Sequence, residues 1–163
     1  MKKLWAIALI SSVFLLQACG TGRTLVLEPS SINYPVKSIM IKRASSPSQV
    51  PEESFVNFEN ILRDKLKESG FVEGVSTADL TIHYRFVHYD EGDRFSRWVL
   101  GGLGNAGEGS MTIEAKFYDK FQKAVGKIHT EGKIGSGAFG GGFDNAIEQA
   151  ADSFVQYISQ NFN

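Results

Sequence analysis

The chain has 163 residues, 17 of them Lys or Arg and 18 Asp or Glu, for a formal net charge of −1. That length suits one domain with a real core. The mildly acidic, unclustered charge argues against nucleic acid, whose binding rests on basic residues that neutralise phosphates. It equally lacks the polybasic run expected of a lipid-headgroup binder.

In chain order, Lys2 and Lys3 precede an apolar run over residues 4–16, broken only by Ser11 and Ser12, and Ala18 sits directly before Cys19. This is the pattern of a secretory signal with a small residue at the cleavage point. The run is too short for a spanning helix, which needs roughly 20 predominantly apolar residues. Cys19 is the single cysteine, so it forms no intrachain disulfide. With that cysteine at the cut, Leu16-Gln17-Ala18-Cys19 resembles the lipobox of bacterial lipoproteins, in which the cysteine becomes the lipidated first residue. The expected organisation is a signal over 1–18, a lipidated N-terminus and tether over 19–35, and a periplasmic domain over 36–163. Cleavage removes two lysines and no acid, leaving the mature chain more acidic. In Gram-negative lipoproteins an aspartate after the cysteine favours inner-membrane retention. Here the residue is Gly20, so resemblance to that rule implies the outer membrane, periplasmic side.

Residues 20–35 are rich in turn formers, and Thr24-Leu25-Val26-Leu27 inside them can pair as a short edge strand. Residues 36–43 place apolar side chains on both parities, Val36 and Met40 against Ile39 and Ile41, which suits a strand covered on both faces. Pro51 suits the first position of a helix, with Glu52 and Glu53 in its first turn. Phe55, Phe58, Ile61, Leu62 and Leu66 form its apolar stripe and Gly70 its stop. Leu80, Ile82, Tyr84 and Phe86 alternate with Thr81, His83 and Arg85 in a second strand. The acidic turn Asp90-Glu91-Gly92-Asp93 closes it.

Met111, Ile113, Ala115 and Phe117 then alternate with Thr112, Glu114 and Lys116. After a turn over 119–123, Ile128 and Thr130 alternate with Lys127, His129 and Glu131, completing a hairpin with one solvated face. Asp144 can cap a last helix with Ile147, Ala150, Ala151, Phe154 and Ile158 inward. The order β-α-β-β-β-α predicts an α+β fold, a single mixed sheet with two helices packed on one face.

Eleven of the 17 glycines fall within residues 94–109 and 132–143. An arginine-aromatic-glycine segment, a strand hairpin, then Gly-Ala-Phe-Gly-Gly-Gly and a terminal amphipathic helix resembles a family of bacterial lipoproteins known as domain of unknown function 4410. The resemblance covers roughly the last two-thirds of the chain. The family brings no established catalytic residues. It implies a periplasmic α/β domain similar to those of small accessory lipoproteins of envelope assemblies.

Gly102-Leu103-Gly104-Asn105-Ala106-Gly107 matches the dinucleotide pattern G-x-G-x-x-G, but a strand is expected where that motif needs a helix. His83 and His88 are five apart, which points them to opposite faces of a regular strand, and His129 lies on another strand, so no metal site is expected. Asp90, Glu91 and Asp93 lack the spacing of a dedicated calcium loop. No G-x-S-x-G is present and Cys19 is committed to lipid, so no catalytic residues and no cofactor are expected. The contact candidates are Arg94, Phe95, Arg97, Trp98 and Leu100, residue types that favour interface centres for the arginines and aromatics. The expected role is binding of another envelope protein; the alternatives are assembly with copies of itself through the same segment and, ranked last, a periplasmic enzyme.

Overall fold

The computed structural model describes residues 22–46, 49–74, 77–90, 109–133 and 143–162. Among these residues, six strands and two helices follow in the order β1 (Arg23–Glu28), β2 (Ser38–Arg43), α1 (Glu52–Glu68), β3 (Val72–Glu73), β4 (Leu80–Asp90), β5 (Ser110–Asp119), β6 (Ala124–Lys133) and α2 (Phe143–Asn161). They build one mixed sheet in the order β1-β6-β5-β4-β2-β3. β2 is parallel to β3 and β4, and the other neighbours are antiparallel. The expected α+β class holds, and two strands join the four expected ones. Thr24 to Leu27 does pair at the sheet edge, and β3 is a two-residue strand with no alternation to reveal it.

The helix α1 follows its apolar stripe, with Phe55, Phe58, Leu62 and Leu66 buried against the sheet. Pro51 stands one residue earlier than expected, at the N-cap. The far end closes through Gly70 in the left-handed region, φ +88°. There the N–H of Phe71 donates to the Leu66 carbonyl and that of Gly70 to the Lys67 carbonyl, both at 3.0 Å. This paired closure satisfies the last carbonyls and tucks Phe71 beside Leu66. The last helix α2 begins at Phe143, so Asp144 lies in its first turn and is not its cap. Its carboxylate instead accepts a hydrogen bond from Asn57 Nδ2 of α1 at 2.8 Å.

Both helices lie on the same face, and the core between them and the sheet is aromatic. Phe58 of α1 packs against Tyr84, Phe86 and Phe154, with ring centroids 5.0, 6.0 and 6.0 Å away. Phe117 of β5 meets Phe154, Tyr157 and Phe162 at 6.0, 5.6 and 5.1 Å. Edge-on and tilted pairs of this kind add to the stabilisation from area burial. Tyr84 is fully buried, and its hydroxyl donates to Glu59 Oε1 at 2.6 Å. Glu59 is in turn paired with Arg43 and Arg63.

One expectation fails at β2. Its two apolar parities suggested cover on both faces, but among the described residues helices cover only one. Ile39 is buried on that side, while Met40 is half-buried on the bare side. Val36 is buried before the strand begins, its N–H donating to the Phe162 carbonyl at 2.9 Å. The stretch expected as tether is likewise tied down within its described part. Beyond β1, Ser31 N–H donates to the Val125 carbonyl at 3.0 Å.

Candidate functional site

Strand register gathers several chain ends at one end of the sheet. Asp90 at the end of β4 pairs with Ser110 at the start of β5, which pairs with Lys133 at the end of β6. Arg23, the first residue of β1, pairs with Glu131 two residues back along β6. The start of α2 is there too, since the Phe143 ring lies 4.7 Å from that of Tyr89. The chain therefore leaves for residues 91–108 and for 134–142 from this end, and Arg23 is four residues from Cys19. The contact candidates Arg94, Phe95, Arg97, Trp98 and Leu100 lie outside the described residues, as do Cys19, the G-x-G-x-x-G stretch, Glu91 and Asp93. The element following that stretch is the strand β5, which confirms the context that argued against dinucleotide binding.

The face of the sheet away from the helices is the second feature. It was expected to be a solvated face, and Glu114 contradicts this. Glu114 is only 4% exposed. Its oxygens meet Arg85 Nε at 2.9 Å, Lys127 Nζ at 3.0 Å and His129 Nε2 at 3.1 Å. Pairing places Arg85, Glu114 and His129 in one row across three strands, so their side chains share a face. Burial is the largest influence on the Glu114 carboxyl and pushes its pKa up. The hydrogen bonds from His129, Lys127 and Arg85 together outweigh it and hold the value at about 2. A carboxylate accepting several charged donors favours ionisation in this way.

The histidines also depart from expectation. A β-bulge between Phe86 and His88 inserts one residue, so His88 pairs with Thr112 while Arg85 pairs with Glu114. His88 thus returns to the face of His83 and Arg85, because a bulge shifts the alternation by one. Its Nε2 lies 3.1 Å from Ser110 Oγ. His83 stacks on Tyr118 at 4.8 Å, and His129 serves Glu114.

The third feature is the two edges of the sheet. On β1, Leu25, Val26 and Leu27 are 49, 46 and 41% exposed, and on β3 Val72 is 65% exposed. Val26 pairs with Ile128, so it faces the helix side, whereas Leu25 pairs with His129 and faces the bare side. Beside β3 lies a groove of about 510 Å³, lined by Ile39, Ile41, Leu66, Phe71 and Val72 with Arg63 and Glu73 among its charged residues. The sequence named residues 24–27 as an edge strand, but it gave no sign of β3 at the other edge, a two-residue strand without alternation.

Similarities to known proteins can be set beside this geometry. No curated protein matches the chain. Two crystal structures of a PelC dodecamer from Paraburkholderia phytofirmans are similar at 12% identity, with TM-scores of 0.58 and 0.57. They cover 84% and 87% of this chain and 97% and 98% of theirs. A DUF330 protein from Xanthomonas campestris is similar at 12% identity and TM-score 0.52, over 82% of this chain and 89% of that one. These likenesses show a shared fold. The model of the family described as Domain of unknown function (DUF4410) matches residues 23–138, beginning at β1, earlier than the resemblance suggested, and stopping before α2. The chain belongs to the DUF4410 family.

Proposed function

We propose that the protein is an envelope lipoprotein, held through lipid on Cys19 at the periplasmic face of the outer membrane, that acts by assembly and not by catalysis. Copies join edge to edge. The observation that carries this reading is the pair of sheet edges, β1 and β3, which no further strand covers among the described residues and which each carry exposed apolar side chains. Directions along the sheet make β1 antiparallel to β3. Joining β1 of one copy to β3 of the next therefore extends the sheet in antiparallel fashion with its helices still on one side. Val26 then faces the groove beside β3. Such a contact uses two different surfaces, and repeated contacts of that type close into rings when the rotation allows. The dodecameric PelC structures supply a precedent for self-association on this fold. Left alone, apolar edges of this kind invite uncontrolled pairing, so a defined partner is the expected solution.

The test is the mass of residues 20–163 by light scattering. The unaltered protein is expected to be a concentration-dependent oligomer. Val26→Lys and Val72→Lys are each expected to be monomeric, because both positions are exposed and each substitution spoils one edge. Mixed together, the two variants still hold one good edge apiece and should form one-to-one dimers and nothing larger. A monomeric parent protein sinks the reading.

A second reading has its own observation. The segment with Arg94, Phe95, Arg97, Trp98 and Leu100 leaves and rejoins the sheet at the Asp90–Ser110 pair, the end from which the chain runs back to Cys19. A different envelope protein near the membrane surface could be met there. Crosslinking in cells from a photoreactive residue at Trp98 separates the two readings. An adduct with another protein supports this second one, and an adduct of twice the chain mass supports self-assembly.

A further inference from the structure

A cavity of about 280 Å³ opens on the bare face of the sheet, between β2, residues 77–81 and the β5–β6 turn. Its lining includes Lys42, Thr77, Thr81, Lys120, Phe121 and Gln122, and none of the described lining residues is acidic. Neither lysine makes an ion pair among the described residues, whereas Lys65 and Lys127 both do. The Lys120 ammonium lies 5.2 Å from the Tyr34 ring centre and 5.4 Å from that of Phe121. One acid interacts with it: the Ser38 and Lys37 N–H groups hold the Asp79 carboxyl below its ordinary pKa, and the Lys120 charge adds a smaller share. Asp79 Oδ2 accepts from the Lys37 and Ser38 N–H groups and from Ser38 Oγ. Asp119 Oδ1 accepts from the N–H groups of Phe121 and Lys123.

Charge continues across the strands. Lys42 pairs with His83 and His83 with Lys116, a row of like-charged or protonatable groups, and like charges directly opposite one another cost stability. His83 Nε2 is buried and has no hydrogen-bond partner among the described residues. Two further features sit at the rim. Phe121 is 77% exposed, and Gln122 holds a left-handed backbone, φ 63°. An exposed aromatic and a left-handed turn residue thus stand at the mouth of the lysine-lined cavity.

We propose that this cavity binds an anionic sugar unit, a uronic acid or a sugar phosphate. Lys42 and Lys120 take the charged oxygens, Thr77 and Gln122 reach the ring hydroxyls, and the Phe121 ring covers the apolar face of the sugar. Drug-sized ligands occupy pockets of roughly 300–1,000 Å³, so this smaller cavity suits one sugar ring. The site lies at the opposite end of the strands from the Asp90–Ser110–Lys133 row, and it does not depend on edge assembly.

The experiment uses the full chain in detergent micelles, titrated with glucuronate and with glucose 6-phosphate and followed by calorimetry. Both are expected to bind saturably, and neutral glucose is not. Lys42→Gln combined with Lys120→Gln should weaken both acids at least about tenfold, the scale of losing charge-assisted hydrogen bonds. Both lysines are exposed, and an unchanged melting curve confirms that the double variant is folded. Phe121→Ser should weaken glucose 6-phosphate while leaving inorganic phosphate unaffected. The proposal is overturned if neither acid sugar binds saturably, if glucose binds equally well, or if the double variant binds like the parent.

Discussion

Gly132→Ala is expected to destabilise the domain by about 3 kcal/mol, at the upper end of the usual overpacking range. Gly132 closes the helix-facing row of β6, opposite Met111 of β5. A Cβ placed on it would overlap the carbonyl oxygen of Ala146 and stand 2.7 Å from its carbonyl carbon. These are backbone atoms of α2, so no rotamer change relieves the overlap and the helix itself must move. α2 cannot move freely, because Phe154 is locked between Phe58 and Phe117. For a chain of this size such a loss lowers the melting temperature by roughly 6–12 °C. Ala146→Gly should not rescue the variant, since the obstacle is main chain. Lys133→Ala, one residue on and exposed, should melt like the parent. A Gly132→Ala protein that melts with the parent would show that β6 and α2 are not in close approach.

That glycine also shows where sequence reading stops. The density of glycine near residue 132 was plain. Which glycine touches which element depends on the α2 crossing, and a residue without a side chain leaves no periodicity to betray it. Alternation did reveal which side chains of β4, β5 and β6 face the helices, because a half-covered sheet writes a period of two into its strands. It failed at Val87, where one inserted residue moved His88 to the other face. It failed again at Glu114, because a glutamate on the polar parity reads as solvated until Arg85 and His129 are known to flank it on neighbouring strands. The Lys42 cavity was hidden for the same reason, since its residues come from three separate stretches of chain. The edge at β1 was legible as a short strand, whereas the edge at β3 follows from neighbour order, which local pattern does not contain.

Glu114→Gln is expected to cost about 3 kcal/mol at neutral pH, with a cost that fades in acid. Removing one member of a buried ionic group generally costs about 3–5 kcal/mol because charge is left unpaired and dehydrated. Here the three donors retain some contact with water, with side chains 46, 25 and 27% exposed for Arg85, Lys127 and His129. They can rehydrate in part, which places the expectation at the low end. The pKa gives the same scale. Held at about 2 against an ordinary 4.5, the carboxyl contributes roughly 3 kcal/mol when ionised, at 1.36 kcal/mol per pH unit. Because the folded value is depressed, that contribution is complete above pH 4.5 and is lost as the pH falls toward 2. Glu59 and Asp79 are also held below their ordinary values, so the parent's own acid sensitivity is not diagnostic. The difference between parent and variant is. Urea unfolding of both proteins should show the full gap near neutral pH, a narrowing gap below pH 4.5, and near coincidence around pH 2. A gap that stays constant across that window would mean that the shape of the side chain, and not its charge, holds Arg85, Lys127 and His129 together.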